Sequence, residues 1–234
     1  MDLQMTLGAV PSPPDDRDYH VSTILPPSTV PLPLSFFGSP VPPVLAQGDT
    51  PMCVGYSSTS MRMQQEYKDD HAWYQLDAPW LYRRAKERDG APGVPGTYVR
   101  VAMKVLRDLG QAELPQPKRS QNIAAHRIAA YYAIPVATEE YLKRAIYAYG
   151  SVVIAGPWYD SWFHPLAGQG YILPRPDREA GGHAILANGW DDARGLLLQN
   201  SWTRAWGSSG RCFLPYRYIP GLWEAWRAND VPNA

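Results

Sequence analysis

The pattern of apolar and polar positions changes halfway along the chain, and its first part predicts helices. Residues 53–67 contain no proline and a single glycine, and they are rich in helix-favouring Met, Gln and Glu. Residues 77–87 open on Asp-Ala-Pro, which is typical of a helix start. Residues 97–109 place Val101, Val105 and Leu109 on one stripe, and Gly110 follows as a stop. This part of the chain is therefore predicted to be helical.

The second half of the chain predicts short strands. Residues 127–134 and 152–155 are apolar or aromatic runs, and between them Thr138 is predicted to cap a helix that stops at Gly150. Residues 183–190 and 196–202 flank an Asp-Asp-Ala-Arg-Gly turn, which predicts a β-hairpin, and residues 211–216 predict a further strand. Helices first and strands later indicate an α+β protein with two packed lobes.

An N-terminal arm precedes these elements. Ten of the 24 prolines lie in residues 11–43, which have no helical period. We expect residues 1–43 to form an extended arm wrapped on the surface, with a disordered leader as the alternative. Residues 44–234 would then form the folded domain, with a helical lobe over about 44–125 and a β-rich lobe over about 126–234.

Composition excludes several classes of function. The 234 residues carry 22 Lys+Arg and 22 Asp+Glu, so we expect neither a nucleic-acid partner nor an anionic membrane surface. No apolar run approaches the roughly 18 residues of a membrane span, and the N-terminus does not resemble a signal peptide. Neither cysteine has a partner at metal-ligand spacing, and phosphate-loop, dinucleotide and zinc-protease motifs are absent. We therefore expect no metal and no cofactor.

Three residues stand out as candidate chemistry. Cys53 is predicted to begin a helix, where the helix N-terminus lowers a thiol pKa, and a neighbouring imidazolium lowers it further. His183 begins one strand of the predicted hairpin, and Asn200 lies near the end of the other. An asparagine carbonyl can orient such a histidine by accepting its Nδ1–H. The three residues therefore predict nucleophilic thiol catalysis.

Three segments carry a family resemblance. Residues 47–57, Gln-Gly-Asp-Thr-Pro-Met-Cys-Val-Gly-Tyr-Ser, resemble the nucleophile segment of papain-like cysteine peptidases (papain family C1). Gly-His-Ala at 182–184 is similar to the family's histidine strand. Asn-Ser-Trp-Thr-Arg-Ala-Trp-Gly-Ser-Ser-Gly at 200–210 resembles its Asn-Ser-Trp-Gly-x-x-Trp-Gly-x-x-Gly block. The intervals of 130 and 147 residues from Cys53 to the histidine and asparagine also match the family.

The resemblance implies a fold and a set of roles. The fold would have two lobes, a helical left lobe with the nucleophile helix and an antiparallel, β-barrel-like right lobe. Cys53 would be the thiolate nucleophile, and His183 would be its ion-pair partner and the general acid. Asn200 would orient the imidazole, and Gln47 would donate its side-chain NH2 to the oxyanion.

The resemblance also implies a set of substrate-binding residues. Gly96 would lie where an extended substrate backbone pairs, and Ala155 and Ala184 would lie near the main specificity pocket. Trp202 would shield the histidine–asparagine hydrogen bond from water. Two further tryptophans, Trp158 and Trp162, would border or restrict the substrate site.

The chain also departs from the family pattern. Val54 stands where the family has Trp, Thr50 replaces a cysteine, and Gly182 replaces Asp or Asn. Forty-six residues precede Gln47, more than a mature enzyme needs and fewer than the usual propeptide. We therefore expect a propeptide-less bacterial or phage type, made without a zymogen stage or with its cleft partly covered by the arm.

The predicted function is a cysteine endopeptidase that hydrolyses a protein or peptide substrate through an acyl-thioester intermediate. The alternative is a papain-fold structural or binding component of a larger, possibly virion-type assembly, with an assembly partner and little or no peptidase activity. A cell-wall amidase or transpeptidase is a third reading, although such folds usually bring Cys and His closer in sequence. We expect a cytoplasmic or virion-associated location.

Overall fold

The computed structural model describes residues 5–25, 30–114 and 122–230, and its fold is α+β, as predicted. The helices of the described residues are α1 (Cys53–Asp70), α2 (Ala78–Lys86), α3 (Val99–Asp108) and α4 (Glu139–Tyr149). The strands are β1 (Ser35–Phe37), β2 (Ile128–Ala133), β3 (Val152–Tyr159), β4 (Glu179–Asp191), β5 (Gly195–Gln199), β6 (Arg211–Leu214) and β7 (Glu224–Asp230).

The start of α2 and the end of α4 follow local sequence, whereas the start of α4 differs from the prediction. Asp77 caps α2 by accepting a hydrogen bond from the backbone N–H of Trp80 at 2.8 Å. Gly150 ends α4 with a φ of 108°, a conformation that favours glycine. Thr138 precedes α4, but its side chain makes no capping hydrogen bond, so the predicted side-chain cap is wrong.

The strands form one antiparallel sheet in the order β2-β7-β3-β4-β5-β6, with β1 paired to β4. The predicted hairpin is present as β4 and β5. Alternate residues of β3 enter different apolar clusters. Val152 and Ile154 pack with α4, whereas Val153 and Ala155 pack with α1 and α3. The central strands are therefore buried on both faces of the sheet. The helices α1–α3 lie against one of these two faces.

Part of the arm is built into the fold, whereas none of residues 11–20 is buried, as expected of a surface wrap. Ser35–Phe37 extends the sheet as β1, and Val21 is fully buried beside α4. Residues 5–10 lie between the helical lobe and the sheet, and the backbone of residues 8–10 has partners on both sides, which a surface wrap lacks. Residues 1–4 and 26–29 of the predicted arm lie outside the described residues.

No helix in the described parts of the chain is long and apolar enough to cross a membrane.

Candidate active site

Cys53 is the first residue of α1, and its side chain is fully buried. Burial raises the pKa of Cys53 to about 11. Hydrogen bonding from backbone groups of Ala184, Gly8, Val54 and Cys53 itself opposes this rise. In this state the thiol is therefore protonated at neutral pH.

His183 lies on β4 and is bound to Asn200, which directly follows β5. The imidazole Nε2 lies 2.9 Å from Asn200 Oδ1, so the expectation that Nδ1 makes this bond is wrong. The rotation of the imidazole side chain decides which nitrogen faces the carboxamide, and a sequence does not reveal that rotation. The indole of Trp202 stacks on the imidazole with ring centroids 4.5 Å apart, and Trp158 contacts it edge-on at 4.7 Å.

The imidazole has one unused nitrogen. His183 Nδ1 is buried and has no hydrogen-bond partner in the described residues, so the thiol and the imidazole are not hydrogen-bonded here. Burial lowers the pKa of His183 to about 4, although the bond to Asn200 opposes the shift. Cys53 and His183 are nevertheless close, because Cys53 shares an apolar cluster with Ala184, the next residue.

Gln47 is buried beside these residues and is held by Ser201. Its Oε1 accepts a hydrogen bond from Ser201 Oγ at 2.7 Å. Its Nε2 therefore points the other way and donates to the carbonyl oxygens of Thr50, at 2.7 Å, and Thr6, at 2.9 Å. We did not predict the role of Ser201, although the Asn-Ser-Trp block contains it. Gln47 thus already binds a peptide carbonyl.

The carbonyl of Thr6 belongs to residues 5–10, which we call the strap. Gly8 and Ala9 both donate from their backbone N–H to Gly182 O at 3.0 Å. On the other side, Val10 N–H donates to Thr97 O at 3.1 Å, and Thr97 N–H donates to Gly8 O at 3.0 Å. The strap therefore runs between the sheet and the helical lobe, across the entrance to the buried thiol.

Glycines permit this close approach of backbones. A Cβ at Gly96 would lie 2.1 Å from Gly8 O, and a Cβ at Gly182 would lie 2.2 Å from Ala9 O. A Cβ at Gly8 itself would lie 2.2 Å from Pro51 O. Distances under 3.0 Å to backbone atoms are not tolerated. The cleft is therefore shaped to a peptide backbone at these points.

The predicted substrate-binding residues fall into two groups. Gly96 lies against the strap, and Ala155 and Ala184 are buried neighbours on adjacent strands that share an apolar cluster with Cys53 and Ala9. Trp202 lies on the other side, stacked on the imidazole, where it covers the histidine–asparagine bond.

The two tryptophans expected to border or restrict the site are both buried, and Trp158 contacts the imidazole. Trp158 and Trp162 pack edge-on at 5.2 Å in the cluster behind the imidazole. Both cysteines of the chain are free, and Cys212 lies in the same cluster. Among the described residues no group of three or more metal-ligating His, Cys, Asp or Glu side chains occurs.

A thiol at a helix N-terminus, an imidazole held by a carboxamide, and an amide donor on a peptide carbonyl together define a cysteine protease. The family model of papain family cysteine proteases matches residues 97–215, just over half of the chain. The chain belongs to the papain family of cysteine proteases, and it is a hydrolase of that class. The matched residues include His183 and Asn200 and begin after Gln47 and Cys53.

Solved structures share the fold at low sequence identity. Xylellain, a cysteine protease from Xylella fastidiosa, matches with 21% identity and a TM-score of 0.80, over 97% of this chain and 97% of that chain. Procathepsin B S9 from Trypanosoma congolense matches with 17% identity and a TM-score of 0.76, over 97% of this chain and 87% of that chain. Digestive procathepsin L 3 of Tenebrio molitor larval midgut matches with 20% identity and a TM-score of 0.71, over 88% of this chain and 72% of that chain. No curated protein matches the sequence.

Proposed function

We propose that this chain is a cysteine endopeptidase that hydrolyses peptide bonds through an acyl-thioester intermediate. The observation that carries the proposal is the strap, because a peptide already lies in the cleft with the carbonyl of Thr6 on Gln47 Nε2. A substrate that replaces the strap would bring its scissile carbonyl to the same donor. The backbone N–H of Cys53, at the helix N-terminus, is the second donor for the oxyanion.

The reaction follows from the groups around that carbonyl. Proton transfer from Cys53 to His183 Nδ1 makes the thiolate, which attacks the carbonyl carbon and forms a C–S bond. The oxyanion is held by Gln47 Nε2 and the Cys53 N–H, and the C–N bond then breaks as His183 gives its proton to the leaving amine. Water, deprotonated by His183, attacks the thioester and releases the acid and the thiol.

The strap must leave before this chemistry can start. With the strap in place, Cys53 is fully buried and His183 is 1% exposed, so no substrate carbonyl can reach the sulfur. Removal of the strap exposes the thiol to water, while the helix N-terminus and the N–H of Ala184 stay in place. These groups then lower the thiol pKa, because the opposing effect of burial is smaller in an open cleft.

The test uses the full chain and a variant, Gly8→Val, that expels the strap by the clash with Pro51 O. We expect an epoxide thiol inhibitor to add one equivalent to Gly8→Val, and a peptide library to be cut at internal bonds. Both results should disappear in Gly8→Val/Cys53→Ala and persist in Gly8→Val/Cys212→Ala, which removes the other buried thiol. A folded Gly8→Val chain that cuts no peptide would overturn the proposal.

A second candidate function is a papain-fold binding component of a larger assembly. The observation that favours it is the sealed cleft, in which Cys53 carries its proton and His183 Nδ1 has no partner among the described residues. This candidate predicts that the strap stays closed in the assembly. Stoichiometric capture of an assembly partner by both the parent and Cys53→Ala, with no peptide cleavage by Gly8→Val, would favour it.

A further inference from the structure

A cavity of about 340 Å³ opens at one end of the sheet, between the last turns of α1 and α4 and the end of β7. β3 pairs with residues 224–226 of β7 and with none of residues 227–230, so this end of β7 lacks β3 as a neighbour. Gln65 lines the cavity twelve residues after Cys53 on α1, which is about 18 Å at 1.5 Å per residue. The cavity is therefore separate from the candidate active site.

Arg227 lines this cavity and brings a buried positive charge to it. The residue is 1% exposed, and none of the described carboxylates forms a salt bridge with it. Its Nη2 donates to Ala228 O at 2.7 Å, whereas Nε and Nη1 are buried and have no hydrogen-bond partner in the described parts of the chain. The guanidinium carbon lies 3.2 Å from the ring centroid of Tyr149. A buried charge with two open donors is costly, and a negatively charged acceptor satisfies it.

An open acceptor lies next to these open donors. Gln65 Nε2 donates to Ala228 O at 2.8 Å, and this is the same oxygen that accepts from Arg227 Nη2. Because both side chains are bonded to one oxygen atom, the carboxamide and the guanidinium are neighbours. Gln65 Oε1 is buried and has no partner in the region that the structure describes. The cavity therefore offers cationic donors and a neutral acceptor side by side.

Charges of both signs stand on the exposed wall of the cavity. Lys68 Nζ donates to the carbonyl of Tyr149, at the end of α4, at 3.2 Å. Burial, together with a hydrogen bond to Asp230, raises the pKa of Asp69 to about 6, so Asp69 is negatively charged at neutral pH. Asp69 opposes a purely anionic ligand such as phosphate, whereas Arg227 and Lys68 oppose a purely cationic one. The wall therefore favours a ligand that carries one charge of each sign.

We propose that this cavity binds an α-amino acid in its zwitterionic form. The carboxylate accepts from Arg227 Nε and Nη1, with Lys68 as a second cation. The ammonium group donates to Gln65 Oε1 and faces Asp69. One carbon atom separates the two charged groups of an α-amino acid, which matches donors and an acceptor that share Ala228 O. The inference goes beyond the proposed function and does not depend on peptidase activity.

The test is calorimetric titration of the full chain with L-alanine and with two analogues that each lack one charge. L-Alaninamide lacks the carboxylate, and N-acetyl-L-alanine lacks the ammonium group. We expect each analogue to bind at least about 10-fold more weakly than L-alanine, because a hydrogen bond to a charged group is lost. Absence of L-alanine binding, or equal binding of all three compounds, overturns the proposal. Tighter binding of phosphate than of L-alanine would identify a simple anion site and also overturn it.

Two variants assign the two ends of the ligand. Arg227→Lys should weaken the binding of L-alanine at least about 10-fold and leave that of L-alaninamide unchanged. Asp69→Asn changes an exposed side chain and should weaken L-alanine about 3-fold, with no change for N-acetyl-L-alanine. Arg107→Gln is the matched control, because Arg107 also lies over a tyrosine ring but is paired with Asp108 at 2.8 Å. It should bind L-alanine as the parent does.

A readout on the parent chain keeps the test independent of how the variants fold. In nuclear magnetic resonance spectra, the Nε–H signal of Arg227 should shift as L-alanine saturates the protein. An unchanged signal at saturation overturns the proposal. Variants that weaken all three compounds equally would show a merely structural role for Arg227 and Asp69, and this result also overturns the assignment. Every measurement reports binding, so a chain that cuts no peptide can still confirm the site.

Discussion

The strap gives the sharpest prediction, because one glycine decides whether it can lie in the cleft. A Cβ at Gly8 would lie 2.2, 2.6 and 2.8 Å from the O, C and Cα atoms of Pro51, whereas ordinary contacts are 3.4–4 Å. All three atoms belong to the backbone just before Cys53, so no flexible side chain can move aside. In Gly8→Val the strap must therefore leave the cleft at this residue.

The expected size of the effect follows from the hydrogen bonds at Gly8. Its N–H donates to Gly182 O, and its carbonyl accepts from the N–H of Thr97. Each such bond contributes about 1 kcal/mol net, so their loss costs about 2 kcal/mol. That energy raises the ratio of open to closed chains about 30-fold, at roughly 1.4 kcal/mol per factor of ten. The clash with Pro51 adds to this value, which is therefore a lower estimate.

The assay is the rate of alkylation of Cys53 by iodoacetamide at neutral pH, followed by intact mass. We expect Gly8→Val to react at least about 30-fold faster than the parent. Gly93→Val is the matched control, because nothing lies within 4 Å of a Cβ at Gly93, and it should react like the parent. Equal rates in Gly8→Val and Gly93→Val, with both chains folded, would refute the role of the strap.

Three further predictions concern protonation and stability. Burial lowers the pKa of His183 from 6.5 to about 4, so between these pH values the unfolded chain binds a proton that the folded chain does not. The free energy of unfolding should therefore fall as the pH drops through this window, and His183→Asn should flatten the urea midpoints plotted against pH. Asp77→Ala removes the cap of α2 and should cost about 1 kcal/mol in urea unfolding. Glu66 Oε1 lies 2.5 Å from the guanidinium of Arg62 and 2.8 Å from His126 Nδ1. Glu66→Gln removes the charge from these contacts and should lower the free energy of unfolding in urea by about 3 kcal/mol. A loss under about 1 kcal/mol would show that the charge of Glu66 contributes little.

The sequence was sufficient for the elements that carry the candidate chemistry. The predicted helix start at Cys53 agrees with α1, because a turn with glycine and proline is followed by helix formers. The predicted hairpin of His183 and Asn200 agrees with β4 and β5, because apolar runs flank a polar turn. Both signals are local, and each is complete within about twenty residues.

The strap and β7 lacked such local signals. The strap is held by its backbone and by the missing side chains of Gly8, Gly96 and Gly182, which are far apart in sequence. No periodicity within a single segment predicts that these three glycines come together. In β7, Arg227 breaks the apolar pattern expected of a buried strand, yet it is 1% exposed. Its guanidinium carbon lies 3.2 Å from the ring centroid of Tyr149, a contact that only the folded chain creates.

The strap affects the protonation of Cys53 and His183 as well as the access of a substrate to them. Catalysis needs a thiolate beside an imidazolium, but burial raises the pKa of Cys53 from 9.0 to about 11 and lowers that of His183 from 6.5 to about 4. Both displacements favour the neutral pair over the ion pair. A reagent small enough to pass the strap would therefore still meet a protonated thiol. Full reactivity requires water in the cleft, and water enters when the backbone of Gly8 leaves the sulfur.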